Sequence, residues 1–248
     1  DAFSPKVFND PVHGHVELHP LCTKVIDTPE FQRLRDLHQL GGVYLVFTGA
    51  SHRRFEHSIG VSHLAGVSVR QICERQPELN VTAEEQLCVQ LAGLCHDLGH
   101  GLLSHFFEHL VKELNGPECQ WQHEHASAAM LKHIIDEHGI TPEFERFGLT
   151  TAHVHFICEL IFGDASDAPP GWQWAGRPGK EFLYEIVANK RNGIDVDKFD
   201  YFARDCYHLG MTKSFDAGRL MKFCHVIVME GERASQIAYH EKEVWRIA

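Results

Sequence analysis

Four residues in this chain could together hold and use a metal ion. They are His57 in Arg53-Arg54-Phe55-Glu56-His57-Ser58, the adjacent pair His96-Asp97 at the end of an apolar run, and Asp197 in Asn192-Gly193-Ile194-Asp195-Val196-Asp197-Lys198. Two imidazoles and two carboxylates suit a divalent transition metal that activates water. The chemistry they point to is metal-dependent hydrolysis.

Such a set works only if the fold delivers it to one place. Leu87, Val89, Leu91, Leu94 and Leu98 make the stretch before and around His96 nearly all apolar, which predicts a buried helix carrying His96-Asp97 into the interior. Gly99 and Gly101 then break it. A buried carboxylate beside an imidazole is costly unless a cation or hydrogen-bond donors compensate it. Taken alone, a His-Asp pair is more often a helix-terminal histidine stabilised by the dipole, with the aspartate capping the next turn. Two features count the other way. Asp197, Tyr201 and Asp205 recur four residues apart and share a helical stripe, with Phe199, Phe202, Cys206 and Leu209 expected on the packing side. His100, His105 and His123-Glu124 cluster near the pair, in a chain whose 20 histidines individually mean little.

The elements that must position these groups read as mostly helix. An extended opening at Lys6 to Pro11 precedes helices near 18–27 and 28–39, the second with Thr28 as N-cap and Pro29 at the first position. A short strand-like run is expected from Val43 to Phe47. Helices follow near 57–75, 82–98, 101–114, 123–138, 142–147, 151–163, 180–190 and 195–208, with a Pro, Gly and Trp-rich loop from Ser166 to Pro178. Cys224 to Met229, a Glu230-Gly231-Glu232 turn and Ala234 to Tyr239 predict a β-hairpin over 224–240. The fold class expected is mainly α with this small hairpin.

With 248 residues and 44% apolar content the chain can bury a substantial core as one domain. No run of eighteen apolar residues and no signal peptide is found, so an intracellular protein without a membrane partner is expected. The eight cysteines lack CxxC pairing and read as reduced core thiols. A net charge of −11 excludes generic nucleic-acid binding by the whole surface, so phosphate recognition must come from local clusters such as His52-Arg53-Arg54.

His57, then His96-Asp97, then Asp197 is the H…HD…D order of the HD-domain metal phosphohydrolases. Longer blocks resemble one branch of that superfamily, the vertebrate sterile-alpha-motif and HD-domain dNTP triphosphohydrolases. They are Asn9 to Gly14, Asp27 to Arg35, Arg54 to Ser58, Gly93 to Gly101 and Asn189 to Lys198. The likeness is weakest at 162–180 and after Cys224. It implies an HD-domain helical fold over 1–248, a catalytic core without the family's sterile alpha motif domain and C-terminal lobe. It also implies a nuclear location.

Cleaving a nucleoside triphosphate requires cations on phosphate oxygens, a positioned water and an acid for the leaving oxygen. The resemblance assigns His57, His96, Asp97 and Asp197 to an iron or zinc ion, with magnesium accompanying the nucleotide. Arg54, His100, His105 and Lys198 match phosphate-binding residues, and His123 matches the general acid. The aspartate that the family pairs with that histidine is Glu108 here, one methylene longer; a carboxylate there fixes the tautomer and favours the protonated ring. A second departure replaces the family's Pro-Phe with Leu102-Leu103. Gln39, Tyr201 and Asp205 resemble residues that engage the deoxyribose 3′-hydroxyl, while Leu40 and Tyr201 resemble those that leave no room for a 2′-hydroxyl.

The resemblance further implies allosteric activation by GTP or dGTP and assembly into a homo-tetramer. Lys6, Asp27, Gln32 and Arg35 match the guanine-nucleotide site. Val7, Asn9, Val46, Phe47, Arg219 and Phe223 match the adjoining deoxynucleotide activator site and interface. Two other readings share the metal ligands or the nucleotide contacts: an HD-type phosphodiesterase or nuclease, and a non-catalytic module that senses nucleotides or binds single-stranded nucleic acid.

Overall fold

The computed structural model describes residues 4–212, 216–229 and 234–240. The first element is an antiparallel hairpin of β1 (Lys6–Asp10) and β2 (Gly14–Leu18), with Asp10 opposite Gly14. Asp10 Oδ1 closes the turn by accepting from the backbone N–H groups of Val12 at 2.8 Å and His13 at 2.9 Å, and Gly14 follows at φ +75°. Sequence reading anticipates only the first strand. In β2 just Val16 and Leu18 point inward, a two-residue period too short to register.

Helices α1 (Pro20–Ile26) and α2 (Pro29–Gln32) lead to α3 (Arg54–Arg75) and α4 (Ala83–Cys95). Then come α5 (His105–Asn115), α6 (His123–Glu137), α7 (Thr141–Arg146) and α8 (Thr151–Phe162). They are followed by α9 (Tyr184–Val187), α10 (Val196–Leu209) and α11 (Ala217–Phe223). A second antiparallel hairpin, β3 (His225–Val228) with β4 (Ser235–Ala238), lies where sequence reading expects one; its Glu230-Gly231-Glu232 turn falls outside the described residues. The mainly α class holds.

Helix α4 is the axis of the core. Thr82 and Glu85 form a reciprocal cap, Glu85 N donating to Thr82 Oγ1 at 3.2 Å and Thr82 N to Glu85 Oε2 at 3.0 Å. From Leu87 to Cys95 every residue is buried, because α3 packs on one side and α8 on another. Helix α10 is set against α3, capped at its start by Asp195 Oδ1 accepting from Lys198 N at 2.9 Å. Helices α3 and α10 carry His57 and Asp197, and the end of α4 delivers His96 and Asp97.

Four expected elements differ. The helix expected over 28–39 stops early: a 3-10 turn takes over at Arg33–Asp36, and Leu37 and Gln39 instead pair through their backbones with Arg54 and His52. Val43 to Phe47 is no strand. Gly41–Leu45 is a 3-10 turn with Leu45 76% exposed, since among the described residues no strand lies alongside to pair with it. The helix expected from 101 starts only at His105, because Leu103 and Ser104 adopt φ +64° and +58° while Ser104 Oγ donates to His38 O at 2.7 Å. The helix expected over 180–190 splits into a 3-10 turn at Glu181–Leu183 and α9. Asn189 Oδ1 then accepts from Arg191 N and Asn192 N and folds the chain into a turn. Sequence reading did not anticipate α11, which Asp216 caps by accepting from Arg219 N at 3.1 Å.

Candidate metal centre and its cavity

His57 sits in the first turn of α3, His96 and Asp97 directly after α4, and Asp197 in the first turn of α10. His57 Nε2 lies 3.0 Å from Asp197 Oδ1 and 3.4 Å from Asp97 Oδ2; His96 Nε2 lies 3.4 Å from both Asp97 Oδ1 and Asp197 Oδ1. Ligands about 2.1 Å from a common ion stand about 3.0 Å apart at right angles and about 3.4 Å apart in a tetrahedron. These four histidine–aspartate distances are those of a ligand set, and His57, His96 and Asp97 bring ligand atoms within 4.8 Å of one another.

The tautomers fit as well. His57 Nδ1 donates toward Asp200 Oδ2 at 2.7 Å, and His96 Nδ1 donates to Gly93 O at 2.8 Å. With Nδ1–H engaged, the buried Nε2 of each ring, which makes no hydrogen bond of good geometry, is the atom left to take a metal or, in its place, a second proton. Burial alone would push His57 down, but Asp197, Asp200 and Asp97 outweigh it and lift the ring to about 10. The surroundings thus favour a positive charge at this point. Asp97 is pushed up by burial and held well below the carboxylate range by Arg54 and the neighbouring imidazoles.

His96, Asp97 and Asp197 form one wall of a cavity of about 350 Å³, with His57 buried directly behind them. Gln39, Leu40, Arg54, His100, His105, His123, Tyr201 and Asp205 line the rest, so the stripe of Asp197, Tyr201 and Asp205 does face the site. Arg54 is committed: its guanidinium donates to Asp97 Oδ2 and, at 3.0 Å, to Ser104 Oγ. His100, His105 and His123 bring three imidazole nitrogens within 4.8 Å of one another, His100 stacking on His123 with ring centroids 4.0 Å apart. Burial drives His100 down to about 3, so it stays neutral. Tyr201, pushed up to about 12 by burial and by Asp197, keeps its proton. Glu108 Oε2 lies 3.0 Å from His123 Nδ1, behind the cavity.

Lys198 does not line this cavity; its ammonium lies beside Gly193. The cation at the mouth is Lys190, paired with Asp167 at 3.2 Å and Glu124 at 3.6 Å. Lys190 belongs to the Asn189 to Lys198 block, but a lysine before a loop carries no signal of direction. Phe202 is 37% exposed, and the inward face of α10 holds Asp200 and Arg204 beside Phe199 and Ala203. Charged residues three and seven positions after Asp197 were the available signal, hidden because charge normally marks the solvated face.

The residues matched to a nucleotide activator lie elsewhere. Lys6 pairs with Asp27 at 3.4 Å on the surface. Arg35 donates to Gln32 at 2.7 Å and covers the Phe55 ring, while Gln32 donates to Ile26 O, which makes the two pairs neighbours. Val7, Asn9, Val46 and Phe47 are exposed, and Arg219 stands over Phe223 with its guanidinium 5.3 Å from the ring centre.

Among curated proteins, this chain is 53% identical over 243 residues to the deoxynucleoside triphosphate triphosphohydrolase SAMHD1 of Homo sapiens, covering 96% of the chain and 38% of that protein. It is 54% identical over 243 residues to SAMHD1 of Gallus gallus, with 96% and 39% covered. The SAMHD1 homolog of Dictyostelium discoideum is 46% identical over 245 residues, with 98% and 43% covered. The chain spans about two-fifths of the length of these relatives. Residues 54–205 match the HD domain family, a span that contains His57, His96, Asp97 and Asp197. The chain belongs to the HD domain family.

Proposed function

We propose that residues 1–248 form an HD phosphohydrolase core that binds iron or zinc through His57, His96, Asp97 and Asp197. In this proposal the core cleaves deoxynucleoside triphosphates, with magnesium, to deoxynucleoside and inorganic triphosphate. One observation carries it: two buried imidazole Nε2 atoms without a hydrogen bond and two carboxylates at ligand spacing, three of the four groups on the wall of a cavity rich in imidazoles. The activity in the relatives' name supports the substrate.

A divalent ion there supplies Lewis acidity and lowers the pKa of water. In hydrolysis at the α-phosphorus, water adds there and gives up a proton to solvent, the bond to the 5′-oxygen breaks, and that oxygen leaves with a proton. His123 is the proton source: with Nδ1 turned to Glu108, its Nε2 is the atom that holds and passes the proton. His105, His100 and Lys190 face the triphosphate, Lys190 in the place sequence reading gave to Lys198. Arg54 acts mainly by holding Asp97 ionised and oriented. Gln39, Tyr201 and Asp205 take the 3′-hydroxyl, and Leu40 with the Tyr201 ring forms the wall against a 2′-hydroxyl.

The wider proposal follows the same relatives. GTP or dGTP binds at Lys6, Asp27, Gln32 and Arg35, where two cations and a carboxylate gather on the surface. A second deoxynucleotide and neighbouring subunits of a tetramer cover Val7, Asn9, Val46, Phe47, Arg219 and Phe223, all exposed here. Among the described residues no helix is long and apolar enough to cross a membrane; a nuclear location and single-stranded nucleic acid as a further partner belong to the proposal. Chromatographic product analysis with each dNTP, magnesium and GTP tests the reaction. Inorganic triphosphate with deoxynucleoside is expected; pyrophosphate with dNMP would replace it with a phosphodiesterase-type cleavage.

A further inference from the structure

His57 is gripped on the nitrogen opposite the one that faces Asp97 and Asp197. Asp200, fully buried one turn after Asp197, accepts from His57 Nδ1 through Oδ2 at 2.7 Å. The buried Arg204 guanidinium takes both Asp200 oxygens at 2.9 Å each, and its third nitrogen reaches Asp10 Oδ2 at 3.0 Å. His13 Nε2 closes the set at 2.6 Å from Asp200 Oδ1. Asp10 is the residue that also ties the turn of the β1–β2 hairpin, through its other oxygen. The fit against α3 is close: a Cβ on Gly60 would lie 2.0 Å from Asp200 Oδ1 and 2.5 Å from Arg204 Nη2.

A buried ionic cluster of this size is a poor way to gain stability, because desolvating two carboxylates and a guanidinium offsets most of their attraction. What it does supply is direction. An imidazole whose Nδ1–H is fixed on a carboxylate has one tautomer and one ring plane, and its Nε2 lone pair is aimed. We propose that Asp10, His13, Asp200 and Arg204 are positioning residues for His57, a hydrogen-bonded brace by which the β1–β2 hairpin aims Nε2 at Asp97 and Asp197. This rests on reading His57 as a metal ligand. It makes the hairpin, which lies outside residues 54–205, a working part of the centre.

The test uses the full 248-residue chain, stripped of metal and titrated with cobalt(II), with affinity and d–d absorption as readouts. Wild type should bind cobalt and His57→Ala should not. Asp200→Asn should weaken cobalt binding about 10- to 100-fold and change the absorption bands. His13→Ala should weaken it in the same direction by several-fold; if Asp200→Asn does not fold, this variant carries the test, because it leaves the Arg204 pairs intact. His63→Ala, whose ring lies 5.7 Å from His13, is the control for simple loss of packing and should leave both readouts unchanged. Wild-type affinity and spectrum in Asp200→Asn and His13→Ala overturn the brace and leave the metal centre standing. A wild type that takes up no cobalt overturns both.

Discussion

Glu108 Oε2 on α5 and His123 Nδ1 on α6 are 3.0 Å apart, a direct contact between the two helices. Burial pushes the Glu108 carboxyl up, but the hydrogen bonds from Lys112 and His123 outweigh it and hold it below its usual range, so the carboxylate is ionised when it meets the ring. We expect His123→Ala to lower kcat about 100- to 10,000-fold, the usual share of a general acid. Glu108→Ala should cost less, on the order of tenfold, because the acid survives without its orienting partner. Both variants should keep their metal in elemental analysis. Metal loss from either would move the pair from proton transfer to metal binding.

His96 contributes one of the two buried Nε2 atoms without a hydrogen bond at the centre. His96→Ala removes it without disturbing the Asp97–Arg54 pair, so the purified variant should carry far less than one metal equivalent while retaining its helical circular dichroism. Removing one ligand of four leaves the remaining carboxylates without compensation, so the apo variant should also melt earlier than the loaded wild type. Metal content equal to wild type would show that the ion, if present, sits elsewhere.

Much of this centre could be read from residue order, and the unread parts share a physical cause. Helix α4 was legible because its all-apolar run from Leu87 has only one place to go. The ligands were legible because their types and order are chemically rare together. Asp200 and Arg204 were not, since a charged pair four residues apart on a helix ordinarily lies in water. Nor were Leu103 and Ser104, whose left-handed backbone is imposed by the contact of Ser104 with His38 and not by their own preferences. Val43 to Phe47 has the composition of a strand and lacks a partner, and pairing is a property of the fold.

His63 offers a pH test away from the proposed ligands. Burial lowers its pKa, with His13 and Arg70 acting the same way. A histidine depressed in the folded state binds its proton more readily when unfolded. Its contribution is therefore intact above the ordinary value near 6.5 and is lost as pH falls from there through the folded value. His63→Gln should lose less melting temperature than wild type between pH 7.5 and pH about 5.5. Parallel slopes for the two proteins would mean that His63 protonates freely in the fold.

Leu40 and Tyr201 both line the cavity, and in the proposed reading they decide which sugar enters. An apolar wall rejects an added hydroxyl in two ways, by overlap and by leaving the hydroxyl without a hydrogen-bond partner. Leu40→Ala removes three carbons from that wall and opens room for a water or a hydroxyl, while Gln39, Asp205 and Tyr201 keep their hold on the 3′ position. Such steric discrimination is typically worth about 10- to 200-fold. We therefore expect Leu40→Ala to raise kcat/KM for ribonucleoside triphosphates by about tenfold or more while that for deoxynucleotides falls only a few-fold. Steady-state kinetics on matched pairs such as dATP and ATP measure the ratio directly. If the ratio does not move, Leu40 packs the fold and the sugar is read by another part of the cavity.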